Sequence, residues 1–528
     1  MPIKKYSKEY IDESYDIIII GSGISGLCSA AILSMEGKSV LVIEKHFKVG
    51  GYTHTFKRES YEWDVGIHYV GSVHKKHSFI RKVFDLITDN QLKWNKMSAN
   101  YDRIIFPDKS YNFISPRENF IDSIKSSFPY EINAIDNYID ALDSIKKTYS
   151  NYFAAKALSG LPDILFYNYL SRKFLKYSDK TTYEILSKIT NNEKLIGVLC
   201  GQWGDYGLTP KKSSFAIHSM IVNHYMDGAS YPIGGSRMIS ENIIPIIENN
   251  GGKVIVSTGV KNISTKNNKV NGVILDNGAK VNSNIVISSI GVENTINKLL
   301  KNDKYYYKFK KNINKVKASG SYVCLYIGFN QTAEELGIKD TNLWIYPGYD
   351  HDENLNKYIN KQTEELPLLY LSFASSKDPS WLKNHPGTAT MEAITFSSFN
   401  YFQQWAEKPW KNRGTDYNKY KEDMSQNIIS IIYKHLPQLK GKISYYELST
   451  PLSTRDMANY SNGELYGIDH DPNRFRQKWL KPKTITKGLY FTGQDILTAG
   501  LGGALSASIL TSSVILKKNL FKKISSLE

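Results

Sequence analysis

The chain has 528 residues, 41% hydrophobic and 22% charged, a balance that excludes a disordered chain and leaves length for several domains of about 100–200 residues each. Lysine and arginine number 67 against 51 acidic residues, and the net charge of +16 favours an anionic partner. Three scattered cysteines, Cys28, Cys200 and Cys324, exclude a disulfide framework and a cysteine-built zinc site. Residues 1–16 are polar, with none of the apolar core of a signal peptide. No stretch reaches the roughly 18–20 apolar residues of a spanning helix. Together these features predict a reducing, cytoplasmic setting.

Tyr15 to Ile20 is a continuous β-branched run, the mark of a buried parallel strand. It leads into Gly21-Ser-Gly23-Ile24-Ser25-Gly26, then a helix of small apolar residues, then a second strand ending at Glu44. In that order the parts predict a dinucleotide site. Gly21 permits the tight turn, Gly23 lets the backbone approach a pyrophosphate, and Gly26 lets the helix pack on the strand. The helix N-terminus offers free N–H groups to the phosphates. Glu44 is expected to accept hydrogen bonds from the ribose hydroxyls. Gly50 and Gly51 follow, where the chain must run close beside the cofactor. Further on stands Gly66-Ile-His68-Tyr69.

Glu118 to Ser150 reads as mostly helical. From Leu161, LPDILFYNYLSRKFLKY alternates apolar bulk with Arg172, Lys173 and Lys176, as interfacial helices do. Gly201-Gln-Trp203-Gly-Asp205 is a candidate lining of a substrate tunnel, with no catalytic role assigned to it. Tyr231-Pro-Ile-Gly-Gly235-Ser-Arg237 precedes a helix over 238–249. Alternating segments begin at Val260, with turns at Asn271-Gly272 and Asn277-Gly278. Ile285 to Ile290 is another buried strand, and Ser321–Phe329, Leu368–Phe373 and Thr388–Phe396 read as strands. Gly488 to Asp495 reads as a strand ending in a turn with an acid. Gly500-Leu-Gly502-Gly503-Ala504 opens a helix running to about Leu516. The tail around Leu520 and Phe521, with Lys517, Lys518, Lys522 and Lys523, is a second candidate for a membrane surface. No HExxH, Walker loop or GxSxG occurs, so no metal site is expected. No basic block interleaved with aromatics points to nucleic acid.

The acid followed by a glycine pair resembles amine-oxidase and phytoene-desaturase flavoproteins. Gly66-Ile-His68-Tyr69-Val-Gly71, Ser372-Phe-Ala-Ser-Ser-Lys377-Asp378-Pro379, Asn462-Gly463-Glu464-Leu-Tyr466-Gly467 and Thr492-Gly493-Gln494-Asp495 carry the resemblance further. They look like the retinol saturase branch of the phytoene desaturase and carotenoid isomerase family. The resemblance implies an α/β fold with a discontinuous Rossmann-type FAD-binding domain and an α+β substrate-binding domain with a helical cap. The boundaries expected are 1–75 with 211–295 and 461–528 for the first, and 76–210 with 296–460 for the second.

It further implies FAD held by Gly21, Gly23, Ile24, Ser25, Gly26, Glu44, Lys45, Gly50, Gly51, Val260, Gly493, Asp495, Gly502, Gly503 and Ala504. His68, Tyr69 and Glu464 are the catalytic candidates, with Tyr466 and Asp469 near them. His68 is read as stacking at the flavin or relaying a proton, or as a structural histidine. The activity implied is saturation of the 13,14 double bond of all-trans-retinol or a related isoprenoid. Desaturation or flavin-dependent cis–trans isomerisation of a carotenoid is the alternative. A prenyl-lipid-binding module like Rab GDP-dissociation inhibitors is a third reading. With no second glycine fingerprint, reducing equivalents are expected at the same flavin, from NAD or NADP as transient donor or from a partner. Peripheral association with an anionic membrane is expected; the oligomeric state is not readable.

Overall fold

Four consecutive isoleucines, Ile17–Ile20, are all buried, as a strand covered on both faces must be. In the computed structural model, which describes residues 4–527, this strand is central to a five-stranded parallel sheet. Val40–Ile43 pairs on one side and Val286–Ser288 on the other. Lys253–Ile255 and Leu489–Phe491 form the two edges. The beginning, middle and end of the chain thus meet in one sheet. Three helices, Ile24–Met35, Arg237–Asn249 and Gly500–Leu516, share a core with one face. The strands Val260–Lys266 and Lys269–Leu275 cover the other.

The second unit is a seven-stranded sheet, antiparallel except where Asn342–Ile345 runs parallel to Asn100–Ile105. Its centre is formed by Ser321–Phe329, Ala389–Ser397 and Leu369–Ser372. The helices Ile132–Lys146, Tyr149–Ala157 and Phe215–Tyr225 border the cavity beside it, and Leu161–Ser178 packs on Tyr149–Ala157.

Four sequence expectations need correction. The hairpin after Val260 turns at Asn267-Asn268, both with positive φ, and not at Asn271-Gly272, which lies inside the following strand. Two asparagines adopt the left-handed turn, while Gly272 packs against the Val281 carbonyl, where no Cβ fits. The helical stretch 118–150 is interrupted at Phe128-Pro129, since proline disfavours helix at the residue before it. The boundary at 75 shifts. Phe79–Ile87, expected in the substrate unit, buries Val83, Phe84 and Ile87 in the core that holds Ile19 and Leu27. Phe309 and Ile313 likewise pack with Ile18 and Phe491. The tail is not a free amphipathic face: Leu520 and Ile524 are buried, Phe521 stacks on Phe79, and Lys518 and Lys523 pair with Glu36. Residues 1–3 and 528, included in the expected first unit, lie outside the described residues.

Candidate active site

The three glycines of the first loop do three different jobs. Gly21 has φ +96°, and a Cβ there would meet Ile290 at 2.8 Å. A Cβ on Gly26 would sit 2.1 Å from the Gly21 carbonyl oxygen, so the helix can close on the strand only without one. Gly23 differs. Nothing lies within 4 Å of its Cβ position, and it lines a large cavity. Its missing side chain leaves an open cradle before the N-terminus of Ile24–Met35, where the first backbone N–H groups lack intrahelical partners. Gly51 closes the cradle from the side: a Cβ on it would be 3.1 Å from Gly23 Cα.

Glu44 lines the same space, but its carboxylate is already engaged. Oε2 accepts from the Ser22 backbone N–H at 2.8 Å and the Ser22 hydroxyl at 2.7 Å, and Oε1 accepts from the His46 N–H at 2.7 Å. It therefore braces the glycine loop as well as facing the nucleotide position.

Gly21, Ile24, Ser25, Lys45, Gly50, Val260 and Gly493 line this cavity, as do Gly502, Gly503 and Ala504 at the start of Gly500–Leu516. Two helix N-termini, remote in sequence, therefore open onto one space.

Three expected site residues stand behind the wall. Gly26 packs the helix. Asp495 is 2% exposed and accepts from Val292 N–H at 2.7 Å and Ile468 N–H at 2.9 Å, so it joins backbone segments. Glu464 is turned to the Asn462 N–H at 2.8 Å, and its neighbours Leu465 and Tyr466 face the cavity in its place. Burial raises the Glu464 pKa, but the carboxyl does not reach the reacting space. Gly235 packs near Thr55 and the Tyr231 hydroxyl; the middle segment contributes Val260, Lys261 and Ser289 instead.

The cavity encloses about 2290 Å³. Ordinary small-molecule sites measure about 300–1,000 Å³, so there is room for a dinucleotide and a second, elongated ligand together. Away from the glycines the walls are aromatic and aliphatic: Tyr322, Tyr326, Trp344, Leu368, Tyr370 and Tyr466. Trp203 is fully buried outside this lining, whereas Asp205 is part of it.

His68 and Tyr69 both reach the chamber. Burial and the nearby Lys377 cation push the His68 pKa down to about 3, so its ring is neutral at physiological pH, and Nδ1 has no partner. Lys377 is fully buried and donates to the His68 carbonyl at 3.0 Å, to Ser372 Oγ at 2.7 Å and to Asn342 Oδ1. Asp64 and Glu392, joined by an Asp64 N–H to Glu392 Oε1 contact at 3.4 Å, are electrostatically coupled to it. Burial pushes both carboxyl pKa values up and the Lys377 pKa down. Tyr69 stacks on Tyr225 with ring centroids 4.2 Å apart, and its hydroxyl lies between Asp102 and Asp205. Composition and spacing signal none of this polar cluster. Lys377 lies within Ser372-Phe-Ala-Ser-Ser-Lys377, but only the fold brings it to the His68 carbonyl. Among the described residues no cluster suited to a metal ion occurs.

The parallel sheet and the glycine cradle at one end of a large cavity define a Rossmann-type α/β protein. Residues 19–85 match the model of an NAD(P)-binding Rossmann-like domain. All-trans-retinol 13,14-reductase of Danio rerio is 35% identical over 97% of this chain and 87% of its own length. The Homo sapiens protein of the same name is 33% identical over 99% and 89%. The chain belongs to the all-trans-retinol 13,14-reductase family. Prolycopene isomerase of Daucus carota is more distant, 24% identical over 93% of this chain and 79% of that protein. Among solved structures, cyclohexylamine oxidase from Brevibacterium oxydans superposes with TM-score 0.61 at 15% identity, covering 95% of this chain and 99% of its own. A Rab GDI from Plasmodium falciparum gives 0.51 at 14%, covering 96% and 99%. Both share the fold.

Proposed function

We propose that this protein binds FAD in the glycine cradle and saturates the 13,14 double bond of all-trans-retinol or a closely related isoprenoid. The observation that carries the reading is the continuity of one cavity from Gly23 and Gly502 to the aromatic chamber at Tyr322 and Tyr370. Bound there, a flavin supplies two-electron chemistry at a carbon–carbon bond. Gly23 and the N–H groups at Ile24 and Ser25 would hold its pyrophosphate, with Glu44 and Lys45 toward the ribose. The Gly502-Gly503-Ala504 helix start would place N–H donors where negative charge develops on the ring. The aromatic walls hold the polyene and exclude water.

The test is to purify the protein, record its visible spectrum, reduce it anaerobically and add all-trans-retinol. A product heavier by one H₂ is expected by mass spectrometry. A product of unchanged mass would favour isomerisation; a parallel reaction with the oxidised protein tests desaturation, which would lower the mass. A colourless protein would revive the lipid-binding module. Which donor reduces the flavin, NAD(P)H or a protein partner, is decided by stopped-flow bleaching with each.

Peripheral membrane association belongs to the same reading. Along Leu161–Ser178, the side chains of Leu161, Ile164, Leu165, Phe166 and Tyr169 are 53–76% exposed, and Arg172, Lys173 and Lys176 follow. The helix packed beside it, Tyr149–Ala157, contributes Tyr149 and Phe153 to the cavity wall. Apolar bulk with cations beside a lipid-sized cavity suits an anionic bilayer surface. Flotation with anionic liposomes is expected, and loss of flotation in an Ile164→Glu/Phe166→Glu variant. No helix among the described residues is long and apolar enough to cross a membrane.

A further inference from the structure

We infer that Asp205 is the acid of this cavity, holding a proton that is positioned through Tyr69 by a charged Asp102. The inference rests on the reductase reading above and deepens it by naming the source of the proton. The Tyr69 hydroxyl oxygen lies 3.1 Å from Asp102 Oδ2 and 3.1 Å from Asp205 Oδ2. A phenol carries one proton and donates to only one of them. At the other contact two acceptor oxygens would face each other in a buried site, unless that carboxyl is protonated and donates back to the phenol.

The remaining donors decide which carboxyl is charged. Asp102 also accepts from Asn342 Nδ2 at 2.9 Å and from Gln202 Nε2 at 2.7 Å. Asp205 has no other side-chain donor among the described residues. Asp102 is therefore the carboxylate and Asp205 the neutral acid. Burial and the neighbouring Asp102 charge act in the same direction, holding the Asp205 pKa well above the usual carboxylate range.

Asp205 and Tyr69 line the cavity and Asp102 does not. The other candidates fail as acids. The His68 ring is neutral, Glu464 faces away, and Lys377 is committed to His68 O, Ser372 and Asn342. Tyr322 and Tyr370 also border the chamber, over nine-tenths buried, with hydroxyls that lack partners. Those hydroxyls point to a ligand with polar groups of its own. A flavin bound in the glycine cradle would supply the electron pair of alkene saturation as hydride to one carbon. The Asp205 O–H bond breaks and a C–H bond forms on the neighbouring carbon. Asp205 is left as a carboxylate and recovers its proton from solvent.

The holoprotein at neutral pH tests this by infrared difference spectroscopy, wild type minus Asp205→Asn. A carboxylic-acid carbonyl band that shifts in D₂O is expected to be lost, and Tyr69→Phe is expected to shift it. In single turnovers of the pre-reduced enzyme, Asp205→Asn should slow alkene reduction by about 10²-fold or more, with flavin content and substrate affinity unchanged. Asp205→Glu should recover part of the rate. A difference spectrum without an acid band, or wild-type turnover by Asp205→Asn, overturns the inference. If Asp205→Asn does not fold, an unshifted band in Tyr69→Phe does the same. A colourless wild-type protein would instead overturn the flavin reading, and the infrared result would still decide the shared proton.

Discussion

The two ends of the cavity are built by opposite means. At the nucleotide end, function lies in what is missing: glycine side chains whose absence exposes backbone N–H groups and helix ends. At the substrate end, function lies in side chains that are costly to bury, Asp102, Asp205, Lys377, Asp64 and Glu392. The first kind of site rests on backbone conformation within each of several remote segments and tolerates little change in shape. The second is assembled from distant strands and depends on charge compensation. A substitution should therefore act sterically at one end and electrostatically at the other.

The largest effect that would sharpen this contrast separates two glycines of one loop. Gly26→Val forces a Cβ to 2.1 Å from the Gly21 carbonyl and should prevent accumulation of folded protein. Gly23→Val should fold, because Gly23 has φ −60° and open space around it. Its unfolding free energy should match wild type within about 0.5 kcal/mol, while the flavin spectrum is lost. Retention of stoichiometric FAD by Gly23→Val would break the steric account of this end.

At the substrate end, Lys377→Met removes the buried cation whose charge acts on Glu392, Asp102 and Asp64. Leaving buried carboxyls without their counter-charge should cost about 3–5 kcal/mol in denaturant unfolding. A near-wild-type midpoint would show that Asp64 and Glu392 are already neutral.

A smaller effect concerns Asp469, whose pKa burial raises to about 7 from 3.8, with Oδ1 unpartnered. Between those values the native state holds a proton that the unfolded state has released. Stability is thus fully present below about pH 4 and lost as pH rises toward 7. Asp469→Asn should gain about 1–2 kcal/mol at pH 8, after allowance for partial exposure, and nothing at pH 4. Equal effects at both pH values would point to packing instead of charge.

The smallest test returns to the nucleotide end. Ser22→Ala removes one of two bonds from Ser22 to Glu44 and keeps the backbone bond. A loss of about 1 kcal/mol in FAD affinity by titration is expected. A loss of several kcal/mol would mean that the hydroxyl touches the nucleotide directly.

Legibility followed the same divide. The strand, glycine turn and helix over 17–35 form in the expected order because each depends on conformation within its own segment. The small-residue helix from Gly500 read correctly because its composition admits little else. Asp495 and Glu464 were misread as cavity residues. A buried acid beside a motif looks the same in one dimension whether it faces a ligand or a backbone N–H. Asp205 drew notice only as a lining residue, and Asp102 drew none, because nothing in NYDRII announces a strand that carries a carboxyl inward. The tail and the 161–178 helix had the same basic, apolar composition, yet one is tucked against Phe79 and the other stands exposed.

By itself the amino-acid order determined the buried parallel strand, the glycine turn and the small-residue helices that open at Ile24 and Gly500. Those features rest on backbone conformation and on apolar periodicity, which each segment carries alone. The tertiary structure decided which carboxyls face the chamber, which cation neutralises which acid, and which amphipathic helix remains uncovered. A buried charge takes its state from the dielectric and partners around it, and those partners, Tyr69, Asp102 and Asp205, meet only when separate segments fold together.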